Sequence, residues 1–193
     1  IWNMALRGEI AGKTILDAAC GPGILGLGLL LMGAKKIYFL DKDQKILATC
    51  HQNYQQLEKE YEIGQAEFIT SDISLFDEPV DIVVQNPPFG TTTAHADKKF
   101  LEKAFTSANI VYSMHKYSTK SFIDAISKDY KFNITHLWRY QKVGVTVNVE
   151  TLQPEHERNW GWLVQHQEDI IYNRSAIYAK KPLGPGIDYD PSQ

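Results

Sequence analysis

Apolar residues along the first 130 positions follow two alternating rhythms: short continuous runs, and longer stretches at helical spacing. Lys13–Asp17, Lys36–Leu40, Ala66–Thr70, Val80–Gln85 and Asn109–Met114 read as five buried strands. Ile24–Met32, Gln44–Glu60, Asp97–Ala108 and Thr119–Lys128 read as the helices between them. In the second helix Ile46, Leu47, Cys50, Tyr54 and Leu57 recur at helical spacing, and in the third Phe100, Leu101, Ala104 and Phe105 do so. Gly26 and Gly28 each cost a helix about 1 kcal/mol relative to alanine, which predicts a neighbour in close approach. Strands alternating with helices imply a parallel sheet covered on both faces, a doubly wound α/β fold. The rhythm then changes. Phe132–Trp138 and Val143–Thr151 follow each other with no helix between, and the pair predicts an antiparallel edge strand on a mostly parallel seven-stranded sheet.

With 193 residues, the chain has room for one domain, expected over 1–152, and an extension over 153–193 rich in Trp, Tyr and Pro. Asp169–Lys180 reads there as a hairpin turning at Asn173-Arg174-Ser175. Hydrophobic residues at 44% and charged residues at 22% exclude a disordered chain. No apolar run approaches the ~18 residues of a membrane span, so no membrane partner is expected. Cys20 and Cys50 suffice neither for a disulfide framework nor for a cysteine-based zinc site, and the six histidines lack ligand spacing. No metal is expected, and a reducing, cytoplasmic setting is. A net charge of −3 leaves no global basic footprint, although a local patch or a basic partner stays compatible. Because the chain opens Ile-Trp-Asn-Met, its start is expected upstream.

The turn Asp17-Ala18-Ala19-Cys20-Gly21-Pro22-Gly23 joins a strand to a helix. Glycines there let backbone amides approach a ligand. An acid at the mouth of such a turn repels phosphate and suits an ammonium group, which S-adenosylmethionine carries beside a carboxylate that loop amides can hold. Asp41 ends the second strand, 24 residues on, where an acid accepts from ribose hydroxyls. Asp72 follows the third, where it can accept from an adenine amine. The predicted cofactor set is Asp17, Ala19, Gly21, Gly23, Asp41, Asp72 and Asn86.

Asn86-Pro87-Pro88-Phe89 directly after the fourth strand is the most specific signal. Its chemistry suits methylation of a planar exocyclic amine, a poor nucleophile. The Asn86 side-chain carbonyl and the Pro87 backbone carbonyl each accept one N–H, which favours a pyramidal nitrogen with its lone pair directed at the methyl group. Pro87 and Pro88 stiffen the turn. Phe89 stacks on the substrate ring.

These motifs, with Asn86–Thr91, Ala96–Leu101 and Val111–Thr119 (VYSMHKYST), resemble the METTL5-type ribosomal RNA adenine-N6 methyltransferases. The resemblance runs from about Ile10 to Leu152. It implies a class I, Rossmann-like methyltransferase fold and S-adenosylmethionine as donor. It further implies small-subunit ribosomal RNA as substrate, with Gly90, Thr91, His115 and Lys116 beside Phe89 at the acceptor. In eukaryotes it implies a TRM112-type activating subunit and a nuclear or nucleolar location. Two departures stand out: Ala19 replaces a family glycine, and only Arg139-Tyr140-Gln141-Lys142 remains of a basic loop.

Lys98, Lys99, Lys103, Lys116 and Lys120 are candidates for phosphate contacts, and Tyr38 and Phe39 for exposed surface under an activating subunit. The rival readings are a protein-glutamine N5 methyltransferase, guanine-N2 methylation, and a non-catalytic RNA-binding subunit that keeps the fold.

Overall fold

The computed structural model describes residues 1–87, 96–140 and 174–180. Its elements are α1 (Trp2–Leu6), β1 (Thr14–Ala18), α2 (Ile24–Leu31), β2 (Lys36–Asp41), α3 (Gln44–Glu60), β3 (Gln65–Thr70) and β4 (Ile82–Gln85). After these come α4 (Ala96–Ser107), β5 (Ile110–Lys116), α5 (Lys120–Asp129), β6 (Asn133–Tyr140) and β7 (Arg174–Lys180).

One seven-stranded sheet runs in the order β3-β2-β1-β4-β5-β7-β6. The first five strands are parallel, and β7 is antiparallel to both of its neighbours. Period-two alternation assigns successive residues to opposite faces. Ile15, Ile37, Phe39, Ile82 and Val84 pack with Leu29, Leu30, Leu47 and Cys50 of α2 and α3. Leu16, Tyr38, Leu40, Val83 and Val111 pack with Leu101, Phe105, Ile123 and Ile126 of α4 and α5. Strand order reverses between β1 and β4, so the crevice for a ligand opens at their carboxyl ends.

Three expectations are corrected. The antiparallel strand is not the edge: β7 lies one position in, between β5 and β6, and the edge strand β6 runs with the parallel set. Its hydrogen bonds are filled on both sides, whereas a lone terminal hairpin would leave one side open. Residues 174–180 therefore belong to the sheet, so a boundary at 152 does not separate them from the domain. The strand expected over 143–151 lies outside the described residues. Thirdly, Tyr38 and Phe39 are buried, because β2 is flanked by strands on both sides and covered on both faces.

Candidate active site

The turn after β1 is built on left-handed backbone. Gly21 and Gly23 have φ of +55° and +89°, and Ala19, where the resembling family has glycine, holds +56°. A side chain costs about 1–2 kcal/mol in that region. Gly23 caps α2 at its N-terminus, and its own N–H donates to Cys20 O at 2.9 Å. Gly26 satisfies the expected close approach: a Cβ there would overlap the Phe39 ring and stand 3.0 Å from Asp17 Oδ2.

Asp17 is enclosed. Its Oδ2 accepts from the Gly26 N–H at 2.8 Å, while Oδ1 is buried without a hydrogen-bond partner. Burial pushes its carboxyl up to about 7, the Gly26 amide opposes the rise, and the charge of Asp41 adds to it. Asp41 is held by the loops on either side: Oδ2 accepts from Gly21 N–H and Oδ1 from Asp43 N–H, both at 3.0 Å. The glycine turn is thereby locked to the end of β2.

Asp72 caps a short 3-10 turn, Ile73–Leu75. Its Oδ1 accepts from Ser74 N–H at 2.9 Å and Ser74 Oγ–H at 2.7 Å, and it meets Lys99 Nζ at 2.5 Å. Lys99 foremost, then Ser74, holds this carboxyl down at about 2.

A cleft of about 550 Å³, within the range of small-molecule sites, is lined by Ala19, Asp41, Ile46, Asp72, Asn86 and Phe100, with Leu40, Lys42, Asp43, Ser71, Ile73 and Lys99 completing the wall. The structure thus brings Ala19, Asp41, Asp72 and Asn86 together. Asp17, Gly21 and Gly23 do not line the cleft but hold the turn behind it. Asn86 Oδ1 is buried without a protein partner, and Pro87 beside it is buried. Pro88, Phe89, Gly90 and Thr91 lie outside the described residues.

His115, expected at the substrate rim, is only 1% exposed and lies 2.6 Å from Ser113 Oγ through Nε2. Alternation on β5 turns it inward with Val111 and Ser113. Of the candidate lysines, Lys98 pairs with Glu102 at 3.6 Å and Lys120 with Asp124 at 2.6 Å. Lys116 ends β5. Lys99, Phe100 and Ile46 were not recognised from sequence as cleft residues. Their place at this wall depends on how α4 and α3 cross the sheet, which local spacing does not encode. Among the described residues no group of His, Cys, Asp and Glu could hold a metal ion. No helix among them is long and apolar enough to cross a membrane.

The strand order, the turn after β1 and the three strand-end acids define a class I methyltransferase. The chain belongs to the Methyltransferase small domain family, which matches residues 3–113, and within it to the METTL5-type proteins. It is 31% identical over 151 residues to the rRNA N(6)-adenosine-methyltransferase Mettl5 of Drosophila melanogaster, covering 69% of each chain. The solved structure of PH1948 from Pyrococcus horikoshii, described as a candidate RNA methyltransferase, superposes with a TM-score of 0.73 at 29% identity, over 94% of this chain and 81% of that one. The magnesium protoporphyrin IX methyltransferase of Synechocystis, solved with S-adenosylmethionine bound, shares the fold at 16% identity with a TM-score of 0.68, over 94% of this chain and 76% of that one. The chain spans 60–69% of the length of the first curated relatives it matches.

S-adenosylmethionine is the cofactor of this class, and the residues present fit it. Asp41 ends β2 at the cleft wall, Asp72 stands beyond β3, and the Asn86 carbonyl lacks a protein donor.

Proposed function

We propose that the protein transfers a methyl group from S-adenosylmethionine to the N6 amine of an adenine in small-subunit ribosomal RNA. The observation that carries this reading is the buried, unpartnered Oδ1 of Asn86 at the wall of the cofactor cleft, directly before Pro87. An acceptor buried without a donor costs about 1–3 kcal/mol. An amine that brings the missing N–H removes that cost.

The cofactor supplies an electrophilic methyl on a sulfonium centre that departs as a neutral thioether. The protein's own task is orientation. Asn86 Oδ1 and the Pro87 carbonyl accept the two amine hydrogens, withdraw the nitrogen lone pair from the ring and direct it at the methyl group. Asp41 receives the ribose hydroxyls and Asp72 the adenine amine of the cofactor. Phe89 stacks on the acceptor base, which must leave its helix or be single-stranded to reach the turn. Gly90, Thr91 and Lys116 complete the acceptor side.

A TRM112-type subunit would pair with an edge of the sheet. With Tyr38 and Phe39 buried, β3, which with β6 forms the two edges among the described residues, offers unpaired backbone to it, and added-strand pairing is the mode that uses such an edge.

The test is tritium transfer from S-adenosylmethionine to ribosomal RNA lacking modifications, with and without such a subunit, followed by nucleoside analysis. Label in N6-methyladenosine is expected. Label in glutamine of a protein acceptor, or in N2-methylguanosine, overturns the adenine reading.

A further inference from the structure

Behind Asn86 runs a buried polar chain. Gln85 Nε2–H donates to Ser113 Oγ at 2.9 Å, and Ser113 Oγ lies 2.6 Å from His115 Nε2. All three residues are 1% exposed. Gln85, the last residue of β4, is the register partner of Ser113 in the middle of β5, and His115 is two residues further along β5 on the same face. The chain is unbroken when Ser113 accepts from Gln85 and donates its own hydroxyl proton to the imidazole.

Holding β4 to β5 does not require this. The other residues on that face of the two strands, Val83 and Val111, are apolar and fully buried. Apolar side chains of similar volume at 85 and 113 would avoid burying polar groups. What the chain adds is direction, because a hydrogen bond specifies an orientation where an apolar contact does not. Asn86 needs that direction from elsewhere, since no protein donor holds its Oδ1. Gln85 is its covalent neighbour.

We infer that Gln85, Ser113 and His115 are positioning residues: they set the backbone at the end of β4 and so the direction in which the Asn86 carbonyl meets the acceptor amine. His115 serves through Ser113 and Gln85 without touching substrate. The inference rests on the proposed role of Asn86 as amine acceptor.

The test uses Gln85→Met, Ser113→Ala and Ser113→Thr, the last retaining the hydroxyl. Two readouts are taken: the Asn86 side-chain amide signals in a ¹⁵N–¹H spectrum, assigned by their loss in Asn86→Asp, and single-turnover methyl transfer. Gln85→Met and Ser113→Ala are expected to shift or broaden the Asn86 signals and slow transfer about 10- to 100-fold, the scale of a small misplacement. Cofactor and RNA affinities should stay within about twofold, with the double variant no worse than either single one and Ser113→Thr recovering most of the rate. Unmoved Asn86 signals overturn the inference, whatever the rates. A loss of RNA affinity in His115→Asn overturns it as well, because His115 would then bind substrate. Absence of RNA methylation by the unaltered protein counts against the proposed function alone, since the amide signals still decide the positioning role.

Discussion

Lys99 Nζ lies 2.5 Å from Asp72 Oδ1, so the first turn of α4 is clasped to the loop beyond β3 across the cofactor cleft. The helix that follows the Asn-Pro turn is thereby tied to the acid proposed to receive the cofactor's adenine. The pairing has a measurable electrostatic consequence. Lys99 is the foremost cause of the lowering of the Asp72 carboxyl to about 2. A depressed acid stabilises the fold above its ordinary range near 4 and loses that contribution as pH falls through about 2. Both partners are half exposed, so the contribution is at most about 1 kcal/mol. In Lys99→Met the Asp72 carboxyl should titrate closer to its ordinary value in a ¹³C-detected titration. An unchanged midpoint contradicts the assignment.

Asp17 has the opposite sign. Its carboxyl is raised to about 7 chiefly by burial, so the folded state holds a proton that the unfolded chain has released between about pH 4 and 7. Stability should fall as pH rises through that window and level off above it, by an amount on the order of 4 kcal/mol at most. Asp17→Asn keeps an acceptor for Gly26 and cannot ionise. It should flatten this pH dependence and leave the variant more stable than the parent at pH 8, measured by urea unfolding at pH 5, 6.5 and 8. A parent protein whose stability rises across this window contradicts the burial argument.

Gly26 and Gly28 separate two uses of glycine in one helix. Alanine at 26 would drive a methyl into the Phe39 ring, an overpacking cost of about 1–3 kcal/mol that exceeds the helix-propensity gain. Alanine at 28 meets only the flexible tip of Ile1, 2.5 Å away. Gly28→Ala should be neutral or stabilising, and Gly26→Ala clearly destabilising, in thermal denaturation. Equal effects would show that Phe39 yields.

Ala19 carries a backbone conformation suited to glycine, with φ of +56°. Ala19→Gly relieves roughly 1–2 kcal/mol of left-handed strain and returns part of it through the freer unfolded chain, about 0.5–1 kcal/mol. A net gain within about 1 kcal/mol is expected in urea unfolding. A loss would mean that the Ala19 methyl contributes packing at the cleft wall that outweighs the strain.

Much of the parallel half was legible in the sequence because each of its strands carries its own apolar run. Gln44–Glu60 matches α3 residue for residue, and β1 through β5 fall within one or two residues of their expected bounds. The short helix α1 was missed: five residues hold too little periodicity to register. The insertion of Arg174–Lys180 between β5 and β6 was missed for a different reason. Which strand pairs with which across 30 residues or more of chain is a matter of topology, not of local pattern. The strand-end acids are singled out in the sequence by position, but their partners are not. Nothing near Asp72 in sequence announces Lys99, and nothing near Asp17 shows that both its oxygens lie enclosed behind the turn. The exposure expected for Tyr38 and Phe39 failed because a central strand looks the same in sequence as an edge strand with an apolar face.

The central claim, that Asn86 Oδ1 receives the amine, is tested most directly by Asn86→Ala. Methyl transfer to unmodified ribosomal RNA and S-adenosylmethionine binding are measured on the same preparation. The account predicts that cofactor binding persists while single-turnover transfer falls about 10²–10³-fold, the scale of losing one positioned polar group in a transition state. Transfer at the parent rate, with N6-methyladenosine still the product, would contradict it.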